Sequence, residues 1–370
     1  MHRSEHEYWL YGHSHSSNDD LFAHIKNIAD IRRVSIALVS SKKNIINTIK
    51  EHHPEGFIVQ IYFNEPVFTI QVSRFNAARN SEEIIKAVCA RVKNSSLYLL
   101  VSDYKPALFR SLILRLFDFN YPAISRVFIK SSEIQKLFID LDSKEKLETI
   151  VRRALFYSRS SEDEKPDKDL KWTQKRFQEV YEIINDQNGW IRKIDFKAYS
   201  VSEKENIINR ELKLLGSVSS NSHFIIKGKF DIFNKYFLQP TLETILNRLG
   251  YLQYRSDRAK EQLPEPLVIK LNRMVFSDDQ WNQKFIEIMS EMKNVSISEY
   301  HTNPFIHLSL LDYQDGSSYG IWIVSDDEIN IIPQIRASVA SMNRLLNHIF
   351  ERITEGEISQ FVPITIEVAD

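Results

Sequence analysis

The last hundred residues show the clearest alternation of apolar and polar positions. Leu267-Val268-Ile269 and the stretches 305–313, 319–324 and 361–368 are short apolar, β-branched runs, the pattern of buried strands. Trp281, Phe285, Ile288 and Met292 recur at helical spacing, as do Val339, Met342, Leu346 and Ile349. Asp315-Gly316 between two of the strand runs marks a turn, because glycine accepts φ > 0 without a Cβ clash. The order strand, helix, strand, strand, helix, strand predicts a ferredoxin-like split βαβ unit.

The N-terminal part repeats that order. Strands are expected at 33–39, 57–63, 67–73 and 97–101, with helices at 42–52 and 80–93. Cys89, the single cysteine, falls on an apolar face with Ile84, Ile85, Val88 and Val92 and is expected to be buried. Further helices are expected at 106–118, 132–138, 144–157, 170–186 and 230–249, the last interrupted at Gln239-Pro240. The stretch 190–199 reads as a strand, and 207–215 fits either strand or helix. The expected fold class is α+β in two or three domains, with ferredoxin-like split βαβ units at the N- and C-terminal ends.

Charge and composition place the boundaries. Residues 158–169 are polar, charged and proline-containing, unable to bury enough surface to fold alone. The expected arrangement is an N-terminal α+β domain at 1–157, a linker at 158–169, a middle basic domain at 170–260 and an acidic C-terminal domain at 261–370. Lys and Arg exceed Asp and Glu by 23 to 17 over residues 1–160 and by 16 to 10 over 171–260; over 261–370 they trail by 7 to 17. A basic body thus carries an acidic C-terminal part.

Glycine is scarce, at 9 of 370 residues, and no GxGxxG, GxxxxGK[ST] or GxSxG occurs. Such loops bring backbone close to phosphate or carbonyl, so the usual dinucleotide enzymes, P-loop NTPases and α/β-hydrolases are excluded. No run of about 18 apolar residues is present, so no membrane contact is expected. A single cysteine rules out an internal disulfide, and a cytoplasmic location is the default expectation. His2, His6, His13 and His15 crowd the N-terminus without a further ligand to complete a metal set.

Two constellations carry candidate chemistry. Asp195 lies in an expected strand, and Glu211 with Lys213 forms an E-x-K after fifteen intervening residues. If the strands pair, Asp195 and Glu211 hold a divalent metal and Lys213 orients the attacking water, the parts of metal-assisted phosphodiester cleavage. Over 171–230 these residues resemble the signature of the PD-(D/E)xK nucleases. That resemblance implies catalytic roles for Asp195, Glu211 and Lys213, Mg²⁺ as cofactor, and a helix carboxylate at Glu179 or Glu182. The second constellation interleaves cations with aromatics: Lys171, Lys175, Arg176, Arg192, Lys193, Lys197, Lys227 and Lys229 with Trp172, Trp190, Phe196 and Phe224. Cations neutralise phosphates and rings stack on bases. Arg152-Arg153, expected in the last turn of a helix, suits either the helix dipole or a phosphate contact.

The reading drawn from the sequence is a non-enzymatic intracellular binding or adaptor protein acting within a complex. It needs no cofactor, has a protein partner or a second copy of itself, and contacts nucleic acid through its basic segments. The alternative is the metal-dependent nuclease.

Overall fold

A computed structural model describes residues 10, 15, 17–64, 67–159, 165–204, 207–256, 265–277, 280–301, 306–334 and 336–360. The chain divides into two compact units, Met1–Leu246 and Asn247–Asp370. Both combine helices with antiparallel sheet, and the class is α+β.

The first unit is built on one sheet of eleven strands. They are β1 (Val34–Ser41), β2 (Phe57–Asn64), β3 (Val67–Asn76), β4 (Ser81–Arg91), β5 (Leu97–Ser102), β6 (Ile124–Arg126), β7 (Leu147–Tyr157), β8 (Asp167–Arg176), β9 (Trp190–Lys204), β10 (Ile207–Ser219) and β11 (His223–Gly228). The spatial order is β2-β3-β4-β5-β1-β11-β10-β9-β7-β8, with β6 pairing on β1 beside β11. The helices are α1 (Asn18–Ala29), α2 (Ile45–Glu51), α3 (Pro106–Leu108), α4 (Arg115–Phe119), α5 (Ser131–Lys144), α6 (Phe177–Asp186), α7 (Phe230–Phe233) and α8 (Gln239–Ser256).

Several expected helices are strands. The segment 80–93 forms β4: a turn closes at Asn80, whose φ is 46°, and Ile84, Ile85 and Val88 then favour the pleated backbone. Cys89 is buried on it, and desolvation pushes its thiol pKa up. The segment 144–157 divides: α5 stops at Lys144, Lys146 takes a φ of 53°, and Thr149-Ile150-Val151 enter β7. The segment 170–186 is β8 followed by α6, and 207–215 is the strand β10. Pro240 does not interrupt its helix. A π-helical turn at Asn234–Leu238 precedes it and carries the chain into α8 despite the missing N–H.

The segment 158–169 joins paired strands of one sheet. Ser158 N–H donates to the Pro166 carbonyl at 2.7 Å, and 167–169 already belong to β8; residues 160–164 lie outside the described set. β7 pairs with β8 and β9 alike, so 147–157 and 167–228 share a sheet with β1–β6. The observed division falls within α8, at Leu246/Asn247.

One face of the β7–β11 region is closed by aromatic packing. Phe138 of α5 stacks on Phe177 of α6 at 4.2 Å and meets Phe196 of β9 edge-on at 4.9 Å, while Phe237 stacks on Phe196 at 5.4 Å. Each of these rings is essentially fully buried. Burying such a ring stabilises the fold by about 1.5–3 kcal/mol, which anchors β9. The neighbouring residue on β9, Asp195, points to the other face because strand side chains alternate.

The second unit pairs β12 (Leu267–Leu271), β13 (Val295–His301), β14 (His307–Asp312), β15 (Ser317–Ser325), β16 (Glu328–Pro333) and β17 (Gly356–Gln360) in the order β13-β14-β15-β16-β12-β17. A four-stranded ferredoxin-like unit was the expectation; six strands pair here, because Val295–His301 adds a strand before β14 and Glu328–Pro333 adds another after the β15 turn. The helices are α9 (Gln280–Ser290) and α10 (Val339–Arg352), the latter burying Val339, Met342, Leu346 and Ile349 as the spacing predicts. Gly316, at φ 75°, makes the expected turn. The strand expected at 361–368 lies outside the described residues. Among the described residues no helix is long and apolar enough to cross a membrane.

Candidate functional site

The site grows from one row of residues across the first unit's sheet. Lys171 pairs with Arg153, Arg153 with Asp195, Asp195 with Ser217, Ser217 with Ile225 and Ile225 with Ser35. Directly opposed residues present their side chains to the same face, so this row forms a floor. It lies on the face opposite the Phe138–Phe196 cluster.

An irregularity in β7 adds to the floor. The register steps from Val151↔Phe196 to Arg153↔Asp195, so Arg152 is an extra residue with no partner on β9. This is a β-bulge, which re-aims side chains and is common beside functional sites. On a regular strand Arg152 and Arg153 would face opposite sides. Here both line one cavity.

That cavity has a volume of about 480 Å³. Six cations line it: Arg33 just before β1, Arg110 in the π-helical turn after α3, Arg152 and Arg153 of β7, Lys171 of β8 and Lys193 of β9. Among the described residues Asp195 is the one carboxylate of the lining. Lys193 Nζ lies 2.7 Å from Asp195 Oδ1, and Arg153 makes a two-pronged pair with Asp169, both hydrogen bonds at 2.7 Å. The hydrogen bond from Arg153, ahead of the plain charge attraction, holds the Asp169 carboxyl below its ordinary pKa. Among the described residues Arg33, Arg110, Arg152 and Lys171 form no ion pair with a carboxylate. The Ser217 hydroxyl on the floor has no described hydrogen-bond partner, although the residue is buried. Four cations without a direct ion pair, from four separate elements, converge on a concave surface and produce a positive field.

Of the sequence-derived candidates, Arg152, Arg153, Lys171, Lys193, Asp195 and Phe196 line this cavity. Glu211 is elsewhere: it pairs with Ser200, whereas Asp195 pairs with Ser217, six positions further along β10. Six residues of strand span about 20 Å, too far for one metal ion to bridge the two carboxylates. Lys213 is the extra residue of a second bulge, between Leu212 and Leu214, and its Nζ contacts Glu211 at 2.6 Å. Among the described residues no group of three His, Cys, Asp or Glu is placed to hold a metal. His2, His6 and His13 lie outside the described residues; His15 is buried and bonds to His24 at 2.9 Å.

The remaining binding candidates are dispersed. Trp190 is a core residue, with Phe128 beside it and the Arg159 guanidinium 5.9 Å over its ring, so its face cannot stack on a base. Arg192 pairs with Asp167 and covers Tyr157. Arg176 pairs with Glu148, as Arg210 does. Lys175 pairs with Val151 across the sheet, and Trp172 is half-buried next to Lys171. Pattern reading missed Arg33 and Arg110, which stand far from the middle segment in sequence. The adjacent arginines of β7 were a local signal, read on a helix rather than on a bulged strand.

The chain matches no protein-family model, and no curated protein is similar to it in sequence.

Proposed function

We propose that this protein is a non-enzymatic binding protein that captures nucleic acid through phosphate contacts on the basic face of its first unit. One observation carries the reading: Arg33, Arg110, Arg152 and Lys171, none in a direct ion pair with a described carboxylate, converge on a single cavity to which a bulge turns two consecutive arginines. Lys197 and Lys227 extend the charge. They belong to the next row of the same face, linked through Leu215. Arginine forks match phosphate oxygens two at a time, and a positive groove tracks a strand's backbone. The volume lies within the range of ligand-binding cavities. The wide register separation of Asp195 and Glu211 favours capture over metal-assisted cleavage. The acidic 261–370 segment is the part we assign to a protein partner or a second copy.

The test is fluorescence anisotropy of the full-length protein with a short labelled single-stranded oligonucleotide. Four neutralised phosphates predict a slope of log K against log salt of about −3 and a loss of about 50-fold between 50 and 200 mM salt. Arg33→Ala, Arg110→Ala, Arg152→Ala and Lys171→Ala combined should reduce the affinity alike for all sequences and flatten that slope. Arg79→Ala, on an exposed turn, should leave binding as it is. Salt-independent binding, or none, overturns the reading.

A further inference from the structure

We infer that the cavity takes the terminal phosphate monoester of a nucleic-acid strand, not an internal phosphodiester. This rests on the nucleic-acid reading above and names the part of the ligand that enters. The argument starts from charge. An internal phosphodiester carries one negative charge and two free oxygens. A phosphate monoester carries about −1.5 to −2 at neutral pH and presents three acceptor oxygens. Three arginines, Arg33, Arg110 and Arg152, with Lys171 beside them, line a single cavity of about 480 Å³. That density of cation over-neutralises one diester and suits a dianion.

Geometry points the same way. Arg152 stands beside Arg153 because of the bulge, and Arg153 is itself fixed by its two-pronged pair with Asp169. Arg110 and Arg33 approach from other elements, so donors come from several directions around one ligand instead of along a line. A tetrahedral group with three equivalent oxygens uses such a surround; a diester must keep two directions open for its chain. The Ser217 hydroxyl supplies a neutral donor at the floor. Lys197 and Lys227 sit one row away on the same face, about 6.6 Å along their strands. They continue the positive track for the phosphates that follow a captured end. That track favours a strand over a phosphopeptide, whose remaining residues carry no repeating charge.

The experiment compares the binding of full-length protein to three versions of one labelled ten-nucleotide strand, with a 5′-phosphate, a 3′-phosphate or both ends hydroxyl, and uses a phosphoserine peptide as competitor. The expected result is at least ten-fold tighter binding of one terminal-phosphate strand over the hydroxyl strand, with the matching nucleoside monophosphate as a competitor. Arg152→Lys keeps the charge but loses the fork and should remove most of that preference, whereas Arg79→Ala, outside the cavity, should leave both the preference and hydroxyl-strand binding as they are. Arg110→Ala is the second variant, so misfolding of one does not decide the outcome; both are checked by thermal melting. If all strands bind equally and with steep salt dependence, the inference falls and the nucleic-acid reading stands. If the phosphopeptide binds more tightly than any strand, or no strand binds with salt dependence, both fall.

Discussion

Asp195 and Glu211 sit on neighbouring strands yet lie six positions out of register. Asp195 faces the basic cavity, and its near partner is Lys193 rather than a second carboxylate. Its charge therefore weakens the positive field that the surrounding cations create. Asp195→Asn removes that negative charge with almost no change in volume. Oligonucleotide affinity should rise by about two- to ten-fold at low salt, the size expected for one screened charge near the ligand. Added Mg²⁺ should produce no cleavage in wild type or variant. Mg²⁺-dependent product on a denaturing gel, lost in Asp195→Asn, would restore the nuclease reading in place of ours.

In the second unit β12, β14, β15 and both helices were legible because their apolar spacing is clean, whereas β13, with its exposed polar residues, and β16 were not. Val339, Met342, Leu346 and Ile349 bury one face of α10 as the sequence predicts. In the first unit the same rules failed at β4 and β7. Ile84-Ile85 and Val88-Cys89 satisfy a helical spacing and a fully buried strand equally well, and only pairing with β3 and β5 decides between them. The cavity was less legible still. Arg33, Arg110, Arg152 and Lys171 are brought together by register, and long-range pairings such as Ser35 with Ile225 leave no mark in local sequence. The polar stretch 158–169 reads as a linker for the same reason: a long strand connection and a domain boundary share a composition.

His223 opens β11 and lies against the helix that carries Arg110, with its ring stacked on Phe109 at 5.5 Å. Its Nε2 is buried without a hydrogen-bond partner among the described residues. Burial first, then the nearby charges of Arg110, Arg126 and Lys193, push its pKa down to about 3. The folded state therefore refuses a proton that the unfolded chain accepts near pH 6.5. Its stability contribution is fully present above pH 6.5 and is lost as pH falls toward about 3. By pH 5 the loss should be about 2 kcal/mol. His223→Phe keeps a ring against Phe109 and cannot be protonated. Urea denaturation at pH 7.5 and pH 5 should show a smaller drop for the variant than for wild type. An equal drop in both would assign the acid sensitivity to other groups.

Gly228 ends β11 with a φ of 118°, outside the range that side-chain-bearing residues adopt. It also sits against the second bulge: a Cβ placed on it would stand 2.2 Å from the Lys213 carbonyl oxygen. That oxygen already accepts the Lys229 N–H at 2.9 Å, so it cannot move away without breaking the connection into α7. Gly228→Ala should accordingly destabilise the first unit by about 2–4 kcal/mol, combining backbone strain with steric overlap. Gly250→Ala is the control, since nothing lies within 4 Å of its Cβ position and alanine favours the helix there. Differential scanning fluorimetry should show a lower melting temperature for Gly228→Ala and an unchanged or higher one for Gly250→Ala. Equal melting temperatures for the two variants would mean that the close approach of β11 to the Lys213 bulge is not part of what holds the basic face in register.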